Sequence, residues 1–391
     1  MTDYQAEARA LSGELTALRH SFHAEPELGN REYKTAEKIE AYLRACGIET
    51  RRALDTAVIG RLEGGLPGPC AALRADMDAL PISEATGAAF ASKTPGVMHA
   101  CGHDVHMTAA LGAAKLLSAR RETLRGRVVF LFQPDEESDG GAARMIEAGA
   151  LADVDAVFGA HVSSEVPLGC MGVRYGKFYA AADVFDVTVT GKSAHGAERE
   201  KGVDALAAAA RMVTAALALP QRLGERSVVS VGTLNAGTAR NILAGEASFS
   251  GIIRTLGPEA RAAMRALFRE TVEAVAREDG ASVDCRLREG YPGVVNDDGM
   301  TRLVEAAARA LLGGDRVRRI EYPTMTSEDF GYFLEARPGS FYHIGTGCER
   351  SLHSSDFLPD DGAAVFGAAL HAAIIESFLN NTYSPGAADV V

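Results

Sequence analysis

The densest group of metal-seeking side chains is His99-Ala100-Cys101-Gly102-His103-Asp104-Val105-His106. A thiolate with imidazoles a few residues away supplies donors for a borderline divalent cation, and Gly102 lets the backbone turn tightly enough for Cys101 and His103 to converge. The competing reading is a helix N-terminus capped by Asp104, with the cysteine merely buried. A second group ends the run Arg127-Val-Val-Phe-Leu-Phe-Gln-Pro-Asp135-Glu136-Glu137, where an apolar strand meets three acidic residues. Adjacent carboxylates repel. They are tolerated when one is tied to a cation while its neighbour takes a proton, the division between ligand and general base that a hydrolase needs; the alternative is a solvated acidic turn. Asp76 and Asp78 follow CAALRA, His161 follows AVFGA, and His353 follows FYHI and a Gly-rich turn. Each alone reads as a cap, a turn residue or a satisfied core histidine. Together they place about five donors at the carboxyl ends of core strands, enough for two metal ions.

The elements that must position these residues follow from apolar periodicity. It predicts helices over about 5–22, 35–46, 105–120, 141–149, 297–312 and 361–378, the helix after His103 beginning near Asp104. Between them lie short apolar runs at 57–62, 70–75, 128–132, 156–160 and 341–344. Strands alternating with helices, and runs apolar on both faces, predict an α/β core with a mostly parallel sheet flanked by helices. From 180 to 288 the rhythm changes to βαββαβ: DVFDVTV, a helix over about 203–218, a hairpin of SVVSVGTL and EASFSGIIRTL, a helix from Pro258 to about Arg277, and ASVDCRL. That order predicts an inserted ferredoxin-like domain, a four-stranded antiparallel sheet with both helices on one face. The expected division is therefore 1–179 and 289–391 for the catalytic domain and 180–288 for the insertion.

Composition narrows the function. The chain has 391 residues, 40 Lys and Arg against 52 Asp and Glu, and a formal charge of −12, which disfavours nucleic acid and anionic membranes as partners. The N-terminus MTDYQAEARA lacks the basic patch and apolar core of a secretion signal, and the longest Ala-rich stretch, Asp204 to Leu219, is too weakly hydrophobic to span a bilayer. Six cysteines stand far apart with no C-x-x-C, which suits reduced thiols in a cytoplasm. No G-x-S-x-G elbow or dinucleotide fingerprint is present, and Gly191-Lys192-Ser193 lacks the upstream glycine of a phosphate loop.

In order and spacing, the runs HAEPELG, LRADMDALPI, GVMHACGHDVHM, LFQPDEE, GAHV, GKSAHGAEREKGVDA and TSEDFGYF resemble the M20 metallopeptidases, specifically the amidohydrolase branch with hippurate hydrolases, N-acyl-amino-acid deacylases and indole-acetyl-amino-acid hydrolases. The resemblance runs from about Leu15 to Phe378. It implies two divalent metal ions, manganese or zinc first and cobalt or nickel next, held by Cys101, His103, Glu137, His161 and His353, with Glu136 as general base toward a metal-activated water. It also implies that the insertion is a lid that forms a homodimer, and that His195 reaches the partner subunit's site to steady the oxyanion, a contribution of about 3 kcal/mol by analogy with other oxyanion donors. Asn241 and Arg254 fall near lid positions that hold the substrate's carboxylate or carbonyl, and Asp76 or Asp78 would orient a ligand or the base. The implied reaction is hydrolysis of the amide of a small N-acyl amino acid. Alternatives are a dipeptidase or carboxypeptidase with the same metals and, from another class, a metal-binding protein without catalysis. The sequence departs from the family pattern at Glu198-Arg199-Glu200-Lys201 and at Ser354-Ser355-Asp356, changes that bear on substrate choice and leave the ligand set intact.

Overall fold

The computed structural model describes residues 3–380. They form two compact units, the first made of residues up to Gly176, Asn296–Glu321 and residues from Tyr332 on, the second of Lys177–Val295 and Tyr322–Gly331.

The first unit is built on an eight-stranded sheet in the order Glu49–Ala53, Ala57–Glu63, Arg125–Gln133, Leu66–Asp76, Ala156–Ser163, Gly339–Gly345, Met171–Val173, Val317–Arg319. Its four central strands, from Arg125–Gln133 to Gly339–Gly345, are parallel, so their carboxyl ends share one edge. Among the described residues, each antiparallel pairing of this sheet involves a flanking strand: Glu49–Ala53 with Ala57–Glu63, Ala57–Glu63 with Arg125–Gln133, and Met171–Val173 with Gly339–Gly345. The central strands are apolar on both faces because helices cover both; Ala156–Ser163 is buried throughout. Two of the covering helices, His103–Ser118 and Gly362–Asn380, cross closely through small residues. A Cβ added at Gly112 would lie 2.6 Å from the Ala368 Cβ, and one at Gly367 would lie 2.8 Å from the Ala109 Cβ. That closeness seats the helix carrying His103 against the core.

The helix expected over 5–22 is two helices, Tyr4–Ala10 and Ser12–His23, broken at Leu11. Both halves bury residues of the same cluster, among them Tyr4, Ala8, Leu15 and Phe22, so the apolar pattern continues through the break. Gly362–Asn380 is long and apolar enough to cross a membrane, which the sequence reading did not single out, and most of it is buried inside the first unit, with Leu370, Ile374, Ile375 and Phe378 in the core.

The second unit carries strands Ala181–Thr190, Ser227–Ala236, Glu246–Thr255 and Ser282–Glu289 and helices Ala205–Leu217 and Pro258–Asp279, in the chain order βαββαβ. The sheet is antiparallel throughout, with Ala181–Thr190 and Glu246–Thr255 at its centre. Phe185, Val187, Val189, Phe249 and Ile253 meet Ala208, Met212, Met264 and Phe268 from the helices in one core. Alternate residues of Ala181–Thr190 point into it, the period of two that marked the segment in the sequence.

Candidate metal centre

The parallel strands deliver their functional residues to one edge. Asp76 ends its strand, Asp78 follows two residues later, Glu136 and Glu137 follow Gln133, and His161 lies near the end of Ala156–Ser163. The helix that carries His103 begins one residue earlier than the sequence suggests, at His103 itself, after Gly102 in the left-handed region at φ 85°. A Cβ at Gly102 would come within 2.5 Å of a Val162 methyl, so only glycine permits this turn beside the His161 strand. Asp104 does not cap the helix. Its buried carboxylate instead takes the Arg19 guanidinium at 3.1 Å and His23 at 2.9 Å.

Five side chains converge. Cys101 Sγ lies 3.3 Å from His161 Nε2 and 3.3 Å from His353 Nε2. Glu137 Oε1 is 3.1 Å from His353 Nε2 and 3.9 Å from His103 Nε2. Cys101, His103 and His161 form one triad whose ligand atoms lie within 4.8 Å of one another, and Cys101, Glu137 and His353 form a second, so the sulfur belongs to both. Glu136, also buried, comes within the same distance of His103 and Glu137. His353 and Asp135 both adopt left-handed backbone, at φ 65° and 59°, a conformation that costs about 1–2 kcal/mol outside glycine and collects at functional sites.

The hydrogen bonds around these groups point their donor atoms inward. His103 Nδ1 lies 2.8 Å from the Asp78 carbonyl, which can only accept, so Nδ1 carries the proton; His103 Nε2, facing Glu137, has no hydrogen-bond partner. His161 Nδ1 likewise donates to the Val162 carbonyl at 2.8 Å, which leaves its Nε2 lone pair toward Cys101. The Asp78 carboxylate lies 3.2 Å from His103 Nδ1 and accepts the Glu137 backbone N–H at 3.0 Å, orienting both. Asp76 is held by Arg74 at 2.6 Å and His106 at 2.6 Å. Thus Asp76 and Asp78 stand behind the converging set, each buried.

Electrostatics make the cluster hungry for positive charge. Burial first, then the negative Glu137 and Glu136, push the Cys101 thiol well above its ordinary range. Burial works to lower His103, yet Asp76, with Asp78 and Glu137, raises it to about 10. Negative surroundings therefore call for a positive group at His103 Nε2, and a proton or a divalent cation meets the demand. His161, pushed down by burial and then by His106, stays neutral, the form that ligates a metal. An inward thiol, three imidazoles and a carboxylate, with one buried imidazole nitrogen unpartnered, fit a transition-metal site.

The remaining expected residues lie in the second unit. His195 is exposed; its Nδ1 accepts the Ala197 N–H at 3.2 Å, so the neutral ring carries its proton on Nε2. It pairs with Ile242 through an isolated bridge, which sets Asn241 beside it, and a depression of about 580 Å³ opens there, lined in part by Gly196, Arg199, Thr238 and Arg240. Arg254 is not in that group. It lies near the opposite end of Glu246–Thr255, pairs with Ala182 across the sheet, and binds the Met325 carbonyl at 3.1 Å and Ser327 Oγ at 2.6 Å. His106, part of the metal-seeking cluster in the sequence but outside the expected ligand set, lies three residues after His103 on the same helix, a spacing that brings the two side chains to neighbouring positions.

Known proteins match along nearly the whole chain. It is 36% identical to N-acetyl-L-cysteine deacetylase of Bacillus subtilis, over 91% of this chain and 86% of that one. Thermostable carboxypeptidase 1 of Saccharolobus solfataricus is 35% identical over 96% of this chain and 98% of its own. Among solved structures, the Bacillus subtilis YXEP protein, a dinuclear metal binding peptidase from the M20 family, superposes with a TM-score of 0.86 at 34% identity, covering 95% of this chain and 99% of that one. Residues 72–377 match peptidase family M20/M25/M40. With that match and relatives that include deacetylases and amidohydrolases, the chain belongs to peptidase family M20/M25/M40, in its amidohydrolase branch.

Proposed function

We propose that the protein hydrolyses the amide bond of small N-acyl amino acids with a pair of divalent metal ions held by Cys101, His103, Glu137, His161 and His353. The observation that carries this reading is the sharing of Cys101 Sγ by two triads, with Glu136 against them. A thiolate with three imidazoles favours zinc or another transition metal, manganese, cobalt and nickel included, over magnesium. When bound, such ions polarise a carbonyl and acidify a water. Glu136 accepts the proton of the attacking water and returns it to the leaving nitrogen, as a buried carboxylate beside the ligand Glu137 is placed to do. His195, which is exposed and whose Nδ1 is occupied by the Ala197 N–H, donates from Nε2–H to the oxygen on which negative charge develops. Asn241 and Arg254 hold the substrate's carboxylate or carbonyl.

The register of the second unit supports a homodimer in which His195 serves the partner's site. Thr190 pairs with Glu246 near the His195 end, and Ala182 pairs with Arg254 near the other. Eight residues of strand separate them, about 26 Å. A small substrate cannot touch both from one copy, so a site using His195 and Arg254 draws them from two chains. Six free cysteines support a reducing, cytoplasmic setting.

The test is amine release from a panel of N-acyl amino acids by the Zn²⁺- or Mn²⁺-loaded protein. Turnover should vanish on chelation, and Glu136→Gln should lower kcat by about 10²–10⁴ with metal content unchanged. A Glu136→Gln protein with full turnover would refute the mechanism. A second reading, a carboxypeptidase or dipeptidase with the same metals, is favoured by the similarity to thermostable carboxypeptidase 1 and prevails if dipeptides outperform acylated amino acids. Absence of turnover on every amide by the fully metal-loaded protein would leave a binding protein.

A further inference from the structure

His106 is almost fully buried among the converging residues, its ring 5.4 Å from that of His103 and 4.7 Å from that of His161 between centroids. With Asp76 and His103 it makes a group of one carboxylate and two imidazoles whose ligand atoms lie within 4.8 Å of one another, close enough to hold a cation. Its hydrogen bonds exclude that role. The Val162 backbone N–H lies 2.9 Å from His106 Nε2, and an amide N–H can only donate, so Nε2 is an unprotonated acceptor already in use. Nδ1 then carries the ring's proton and donates it to Asp76 at 2.6 Å. Burial pushes His106 down, consistent with this neutral tautomer. Neither nitrogen has a lone pair left for a cation.

What the ring does instead follows from the strand it grips. Leu66–Asp76 pairs with Ala156–Ser163 only as far as Arg74↔Gly159, whereas Gly339–Gly345 on the other side pairs to Gly345↔Ser163. Past Gly159 the strand has therefore lost one neighbour, at the point where it presents His161. His106 replaces that neighbour by taking the Val162 N–H, and the carbonyl of the same residue accepts from His161 Nδ1. One backbone unit is thus held on its N–H by His106 while its C=O fixes the rotation of the His161 ring. Asp76 anchors the far side of His106 and is itself fixed by Arg74.

We propose that His106 is a positioning residue that sets the ligand His161 through the backbone of Val162 and so tunes one of the two metal positions, the one formed by Cys101, His103 and His161. This rests on the metal centre proposed above. Second-layer partners of metal ligands typically change affinity by about 10–100-fold when removed.

The experiment is a competition of Zn²⁺ between the metal-free full-length protein and a chromophoric chelator, which resolves two binding equivalents, together with hydrogen exchange of the 156–163 segment without metal. His106→Phe, which keeps the ring volume and removes both bonds, should weaken one equivalent by about 10–100-fold, leave the other within about threefold, and speed exchange at Val162. His106→Gln, whose side-chain carbonyl can accept the Val162 N–H, should recover most of the lost affinity and protection, which a space-filling role would not. In a His161→Ala background, His106→Phe should cost nothing further, because its effect passes through His161. Unchanged affinity for both equivalents in His106→Phe, equal weakening of both, an undiminished effect in the His161→Ala background, or unaltered exchange at Val162 would each overturn the proposal. Should the unsubstituted protein take fewer than two equivalents, the dinuclear reading fails, and the exchange comparison still decides whether His106 holds the strand.

Discussion

If His195 completes the partner's site, two damaged chains should repair each other in a calculable way. Glu136→Gln lacks the base and His195→Ala lacks the oxyanion donor, so each homodimer should retain about 1% of activity or less. Random exchange of equal amounts in a twofold dimer makes about half of the dimers mixed. In each mixed dimer one site combines the intact Glu136 of one chain with the intact His195 of the other, and the second site lacks both. Activity should therefore recover to about one quarter of wild type, well above the homodimer background. A converse mixture sharpens the result. Wild type mixed with a chain carrying both substitutions should retain about one quarter of full activity if His195 acts in trans and about one half if it acts in its own subunit. Native mass spectrometry would count the mixed dimers and a fixed N-acyl amino acid would report turnover. The reasoning is refuted if mixed dimers form in the expected proportion and the first mixture stays at background. The structural premise is the separation of about 26 Å between the strand ends near His195 and Arg254, which no rotamer change in one chain can close.

Two further outcomes concern stability. Gly112→Val places a branched side chain where even a Cβ lies 2.6 Å from the Ala368 Cβ and 3.2 Å from the Leu15 methyls, so the helices His103–Ser118 and Gly362–Asn380 must part; a loss of about 1–3 kcal/mol, read as a Tm lower by about 1–4 °C in a chain of this length, is expected, and an unchanged Tm would contradict the packing. Burial would raise the Glu305 carboxyl, but hydrogen bonds from Arg319, Tyr175 and Arg309 overcome it and hold the group at about 2, against an ordinary 4.5. A lowered folded value means the contribution is complete above about 4.5 and is lost as pH falls toward 2, because the unfolded chain binds the proton first. Glu305→Gln should therefore flatten the stability curve in that window by up to one proton, about 1.4 kcal/mol per pH unit, and leave its slope near neutrality unchanged; equal slopes for both proteins between pH 4.5 and 2 would contradict the assignment.

How much of this was legible in the sequence depends on the range over which each residue acts. Val128–Phe132 announced a buried parallel strand because both its faces are apolar, and the acidic residues after it could then be placed at a strand end. The alternation in Asp183–Val189 announced the antiparallel sheet of the second unit for the same local reason. The break at Leu11 was invisible, since both short helices turn their apolar residues to one core and a period of 3.6 survives the interruption. Asp104 looked like a cap because capping is a local habit of Asp, and nothing nearby in sequence reveals that Arg19, 85 residues away, claims its carboxylate.

His106 shows the limit most clearly. Its type and its spacing from His103 fit a ligand as well as a support, and composition cannot separate the two. The distinction lies in which atoms its nitrogens meet, a backbone N–H 56 residues away and a carboxylate 30 residues away, both brought there by the parallel order of the sheet. A histidine at such a strand edge is a donor for metal only if its lone pair is still free, and a single amide proton at 2.9 Å removes it. The sequence therefore supplies the candidates, and the sheet's register divides them into groups that bind and groups that hold the binders in place.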